Sequence, residues 1–302
     1  MNEDFITRLR GQLVDAAGRT QRPPVLSLAW LRPALVTAAV LAAVAVGVIA
    51  LGGPADDDQP VATGDTVAFR ITGGDAAAAA AVLQDRLDAV ALAGTVRAEA
   101  DEVVVDLADD TAADRRTLDA LTRPGRLAMY DWEPNLVREE PSTLEQADRL
   151  AGRAEGRRVV EHEGGWYVLE DNPALTNGDL AGAEQVIEVA MEAGTPGSGA
   201  RAVALTFTDD GETAFENLTR DVARRGAELA TPGVPAMNNA QHFAIVVDGR
   251  VTALPYINYE QAPDGIDGAS GAQISGDFTL QTARELAAVL DSGPLPGTLA
   301  PQ

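Results

Sequence analysis

The sequence predicts an α+β fold held outside a membrane behind one N-terminal transmembrane helix. Three observations predict it: an uncharged apolar run before residue 56, strand and helix patterns that alternate between residues 66 and 132, and an Asp-Gly hairpin signature at residues 248 and 249. Each is taken in chain order.

Residues 33–55 carry no charge, and 34–51 are nearly all Ala, Val, Leu and Ile. A helix needs about 20 apolar residues to cross hydrocarbon, so 33–53 is the expected span. A cleaved signal peptide has a shorter apolar core nearer the N-terminus, whereas 32 residues precede this one. Arg8, Arg10, Arg19, Arg22 and Arg32 lie before the span, and Asp56, Asp57 and Asp58 lie directly after it. Basic flanks stay cytoplasmic, so 1–32 is read as a cytosolic tail and the remainder as extracytoplasmic. Trp30 suits the interfacial aromatic belt. In the tail, Phe5, Leu9, Leu13 and Ala16 recur at helical spacing, but short isolated helices are marginal in water. Residues 54–65, with Pro and three successive Asp, read as a linker.

Composition narrows the partners. Residues 56–302 hold 18 arginines against 43 acids, and the whole chain of 302 residues has a net charge of −23. Phosphate binding requires a basic surface that releases counterions, so nucleic acid is excluded as a partner. Broad contact with anionic lipid is disfavoured for the same reason. All 23 basic residues are arginine, and there is no cysteine. The chain therefore lacks disulfides, thiolate nucleophiles and cysteine-ligated metal.

The outer portion begins with strand-like alternation at 66–72 (TVAFRIT). Gly73-Gly74 turns the chain, and Asp75 is placed to cap a helix over 76–90, with Val82, Leu83, Leu87 and Val90 on one side. Next come a strand at 103–107 (VVVDL), a helix at 112–121 behind Thr111, and a strand at 127–132. Residues 136–183 are polar, with a strand expected only at 166–169. Strands are expected at 185–191 and 202–207, then a helix at 209–225 whose Ala214, Phe215, Leu218 and Val222 share a face. Residues 243–253 are the clearest local signal: two apolar strands around Asp248-Gly249, which suits a type I′ turn. Residues 258–272 read as a loop. A final helix at 279–290 carries Leu280, Ala283, Leu286, Ala287 and Leu290 on one stripe, and Gly293, Pro294 and Pro296 end it.

No catalytic, cofactor or metal site is expected. His162 and His242 are 80 residues apart and form no His-x-x-x-His spacing. No Gly-x-Ser-x-Gly elbow occurs, and Gly197-Ser198-Gly199 reads as a turn. Asp264-Gly-Ile-Asp-Gly268 lacks the alternating ligands of a calcium loop. Glu139-Glu140 reads as a solvated face, and Asp209-Asp210 as a helix N-terminus favoured by the dipole. Asn217-Leu-Thr219 matches a glycosylation sequon but falls on a predicted helix. Phe207, Phe243 and Tyr256 are candidates to line an apolar cleft, with plain sheet core as the alternative.

Several segments, in this order, resemble the first extracytoplasmic domain of the SecD/SecDF family. They are 84–88 (QDRLD) with 103–107 (VVVDL), 202–215 (AVALTFTDDGETAF), 243–255 (FAIVVDGRVTALP), 271–279 (GAQISGDFT) and 286–296 (LAAVLDSGPLP). The resemblance covers roughly 66–297. It implies two lobes: a discontinuous base from 66–135 and 271–297, and a head inserted at 136–270. It also implies a non-enzymatic module that binds secreted or unfolded polypeptide outside the membrane. Polypeptide would be held in a cleft or by strand addition at a sheet edge, with the Sec translocon or a complete SecD-type subunit as partner. Which residues touch polypeptide is left open. The family's later membrane helices are not expected in this chain, so no proton pathway of its own is expected. A sensor or scaffold that signals through residues 1–32 is the alternative from another class.

Overall fold

The computed structural model describes residues 66–139, 141–187 and 201–302. The expected tail, span and linker at 1–65, Glu140, the far end of the strand expected at 185–191, and the Gly197-Ser198-Gly199 turn lie outside the described residues. Among the described residues, no helix is long and apolar enough to cross a membrane.

The first sheet is antiparallel and built from β1 (Thr66–Thr72), β2 (Gly94–Glu99), β3 (Glu102–Leu107) and β14 (Thr298–Pro301), in the order β14-β1-β3-β2. Phe69 and Ile71 alternate onto the same face as Val103, Val105 and Leu107, as the two-residue strand period requires. Helices α1 (Ala76–Ala89) and α2 (Ala112–Leu121) bury Leu83, Leu87, Leu118 and Leu121 on that face. Both N-caps are the expected residues. The Asp75 side chain accepts from Ala78 N at 2.7 Å, and the Thr111 hydroxyl accepts from Asp114 N at 3.1 Å. Two strands escaped the sequence reading. β2 is polar and mostly exposed, so it shows no clear alternation, and β14 follows the prolines that stop the last helix.

The second sheet orders its strands β6-β5-β11-β10-β4-β7. These are β4 (Leu127–Asp131), β5 (Arg157–His162), β6 (Gly165–Glu170), β7 (Leu175–Thr176), β10 (Gln241–Val247) and β11 (Arg250–Ala253). β12 (Tyr256–Ile257) pairs with β10 beside this path. The hairpin at 248 and 249 forms as read: Asp248 has φ +51° and Gly249 φ +79°, the two positive angles of a type I′ turn. The strand expected at 127–132 is corrected in length and place. It ends at Asp131, Trp132 opens the short helix α3 (Trp132–Asn135), and the strand pairs with β10 instead of joining β1 and β3.

The third sheet, β13-β9-β8, comprises β8 (Leu180–Ile187), β9 (Arg201–Phe207) and β13 (Ala272–Phe278). Two helices remain to place, α5 (Asp209–Glu228) and α6 (Leu280–Asp291); α4 (Leu144–Ala151) lies against β5 and β6. Phe215, Leu218 and Val222 of α5 join Val203, Leu205, Phe243 and Ile245 in one core. α6 serves two cores. Ala283, Ala287 and Leu290 belong to this one, while Ala288, Val289 and Leu295 close the core under the first sheet. Leu280, expected on the buried stripe, is 38% exposed at the helix start.

Four of the edge strands carry local interruptions. On β2, the Gln84 side-chain Oε1 accepts from Val96 N at 2.8 Å. On β8, Asp291 accepts from Ala183 N at 3.0 Å. Along β6, Val137 N donates to Val168 O at 2.9 Å, and β13 is interrupted between Ser275 and Phe278. Side chains, chain crossings and bulges on edges discourage further strand pairing.

Because α6 seals two cores, its cap should count in global stability. The Thr279 hydroxyl accepts from Thr282 N at 3.1 Å. Thr279→Ala should cost about 1 kcal/mol in urea unfolding.

Candidate functional site at an arginine junction

α1 turns Arg86 inward between Leu83 and Leu87, and its side chain is wholly buried. Nη1 donates to the carbonyls of Leu121 at 2.6 Å and Arg123 at 2.5 Å. Nη2 donates to Gly293 O at 2.7 Å, with longer contacts of 3.4 Å to Pro124 O and Val289 O. Nε donates to the Ser292 hydroxyl at 2.9 Å. Leu121 O and Val289 O belong to the last turns of α2 and α6, whose carbonyls a helix leaves without internal partners, while Arg123 O, Pro124 O and Gly293 O lie in the segments just past them. Both helix ends carry the negative pole of the backbone dipole. One guanidinium therefore caps two helices.

The same point joins the first core to the second. The chain crosses through 122–126, where Pro124 O also accepts from Leu295 N at 2.8 Å. From the other side, the Asp248 carboxylate accepts from Gly125 N at 3.2 Å and Arg126 N at 2.9 Å. Asn177 Oδ1 accepts from Leu127 N at 2.8 Å, and its Nδ2 donates to Gly125 O at 2.9 Å. Gly125 has φ +77°, and a Cβ there would lie 2.8 Å from Arg86 Nη2 and from Val289 Cγ1. Glycine is demanded by conformation and by space. Burial lowers the Arg86 pKa to about 10, and the Asp248 charge opposes that shift in part. The group stays charged at neutral pH.

Two polar networks sit at the second sheet. Arg225, from α5, forks onto the Asp131 carboxylate, with Nη1 to Oδ2 at 2.8 Å, and lies 3.8 Å from Glu133. Burial raises the Asp131 pKa, while the hydrogen bond from Arg225 lowers it. Glu133 accepts from His242 N at 3.1 Å and meets His242 Nδ1 at 2.7 Å. Farther along, Tyr130 donates to Asp171 at 2.7 Å, and Arg158 forks onto the same carboxylate at 2.9 and 3.0 Å. The Arg158 hydrogen bond holds the Asp171 pKa below its ordinary value, against burial. Burial, then the bond to Asp171, raises that of Tyr130.

The residues weighed in the sequence fall outside any catalytic grouping. His162 packs against the rings of Trp132 and Tyr167, while His242 pairs with Glu133. Among the described residues no His, Asp and Glu cluster is arranged to hold a metal ion. The 264–268 loop is packed on α5: Ile266 N donates to Thr219 Oγ1 at 2.8 Å, and a Cβ at Gly268 would lie 2.1 Å from Glu212 O. Asp209 and Asp210 occupy the first turn of α5 behind Thr208, and Asn217 accepts from Arg220 on the same helix. Glu139 pairs with Arg153 at 2.7 Å. Phe207 and Phe243 flank Phe215 in the core, at ring distances of 5.0 and 5.7 Å, and only Tyr256 stays half-exposed. Arg86 was visible in the sequence only as part of a resembling segment. Its signal was a cation one residue before Leu87 on the buried side of a helix.

Residues 153–297 match the family described as SecDF, P1 head subdomain. Part of this chain is similar to SecD and SecDF. It is 36% identical over 124 residues to the SecDF translocase subunit of Thermus thermophilus, covering 41% of this chain and 13% of that one. Against SecDF of Brucella abortus it is 32% identical over 130 residues, covering 43% and 13%. The matched stretch thus spans a small part of these relatives' length. The crystal structure of SecDF in its super-membrane-facing form shares the fold, with a TM-score of 0.52 at 23% identity over 78% of this chain and 29% of that one. The SecD-like part is a mixed α/β body.

Two outcomes follow for this chain. Arg86→Met leaves the ends of α2 and α6 without their cap and should cost about 3 kcal/mol or more in urea unfolding, with Arg86→Lys recovering only part. Asp171 has a depressed folded pKa, so its contribution is present above the ordinary carboxylate value of 3.8 and lost as pH falls through the folded one. Stability of the parent should therefore drop more steeply below about pH 4 than that of Asp171→Asn, read by thermal unfolding across pH.

Proposed function

We propose that this chain is a membrane-anchored SecD-like module that binds unfolded polypeptide outside the membrane and assists protein export without enzymatic chemistry. The match of residues 153–297 to the SecDF P1 head carries the reading. In it, residues 1–32 are cytosolic, 33–53 cross the membrane, 54–65 form a linker, 66–135 and 271–297 form a base, and 136–270 form a head. Packing favours placing the boundary at the Arg86 junction, since β4 already belongs to the second sheet. Partners are secreted or unfolded polypeptides, together with the Sec translocon or a complete SecD-type subunit, which would supply any coupling to proton flow.

The fold bears on how polypeptide is gripped. The edges of β2, β6, β8 and β13 are each locally interrupted, so at those strands side-chain contacts are favoured over strand addition. Large apolar side chains do reach solvent, including Ile187 at 53% and Met237 at 52% exposed.

A photo-crosslinking residue placed at Met237, and separately at Ile187, tests the reading in cells. Adducts with exported chains, or with the translocon, are the expected result at one position or both. Adducts with neither, together with recovery of a cytosolic regulator through residues 1–32, would replace export with signalling.

A further inference from the structure

Both histidines of the chain come to one corner of the second sheet. Trp132 opens α3 and is 1% exposed, and its indole Nε1 meets no hydrogen-bond acceptor. The His162 ring, at the end of β5, stands 6.2 Å from the indole at 69°. Tyr167, from β6, closes the group at 5.5 Å from Trp132 and 6.2 Å from His162. His162 is followed directly by the turn Glu163-Gly164, with φ +48° and +77°, that joins β5 to β6. The other groups facing it are few. Glu161 and Glu163 flank it on its own strand and turn, Arg250 of β11 pairs with Glu161 at 2.8 Å, Tyr167 faces it from β6, and Glu133 of α3 engages His242 of β10.

We propose that His162 is an acid-sensitive latch, whose protonation releases the β5–β6 hairpin from the Trp132 corner. A neutral imidazole packs against the paired Trp132 and Tyr167 rings without a charge to hydrate. An imidazolium there loses water that the rings replace only in part, because cation–π attraction is weaker than the desolvation it opposes. Burial lowers the His162 pKa, the acids Glu163 and Glu161 raise it in part, and His242 lowers it again. The sign follows. A depressed folded pKa means that the packed form is favoured above the ordinary value of 6.5 and loses that advantage as pH falls through the folded value. Movement of the hairpin would bare Trp132 and Tyr167, an apolar surface that the neutral fold conceals. The latch stands whether or not the export reading does.

The full chain with Trp30→Phe and Trp166→Phe keeps Trp132 as its sole indole. Its emission, followed from about pH 8 to about pH 5, should shift to the red in one transition below the ordinary histidine value. His162→Gln should abolish the transition, and His242→Gln should keep it and move its midpoint upward. Amide exchange in the parent should rise in β5 and β6 over the same interval, which needs no variant to fold. An unchanged transition in His162→Gln or in a folded His162→Phe would overturn the latch. A parent showing neither the emission change nor the faster exchange would overturn it equally.

Discussion

One buried cation holds the described body together. Arg86 sits where two helices end and where the chain passes between cores, and its donors reach both helix ends and the crossing segment. Burying a guanidinium is costly unless its hydrogens are satisfied, and here backbone carbonyls do that work without a carboxylate in direct contact. The arrangement is reciprocal. Helix ends that would otherwise bury orphan carbonyls gain a donor, and the donor gains a place free of water. Gly125 then has no alternative, because any side chain would enter the guanidinium's space.

From that point the two cores share a helix instead of meeting at an open surface. α6 gives alternate faces to each: Ala287 and Leu290 to one, Ala288 and Val289 to the other. Ser292 and Gly293 at its end complete the Arg86 cap, so any displacement of one core relative to the other would strain hydrogen bonds at this helix end first. The SecDF likeness acquires a physical content here. The segment similar to the SecDF P1 head subdomain reaches residue 297 and so includes the helix shared by the two cores.

Much of the secondary structure was legible because its causes are local. Asp75, Thr111 and Thr279 cap helices as their side-chain oxygens dictate, and Asp248-Gly249 turns a hairpin because both residues accept positive φ. β2, β5 and β14 were missed because exposed or half-exposed strands show weak alternation. The meeting of His162 and His242 at one corner was not readable at all, since 80 residues separate them.

The sequence by itself determined the caps, the hairpin, the acidic character and the family likeness, all of which depend on residues close in the chain or on their order. Tertiary structure decided that β4 belongs with β10, that α6 seals two cores, and that Arg86 closes the junction. Strand pairing joins residues as far apart in the chain as Phe69 and Pro301, and the buried cation reaches an acceptor 207 residues away. No local period encodes such distances; only the packed chain brings the donor to its acceptors.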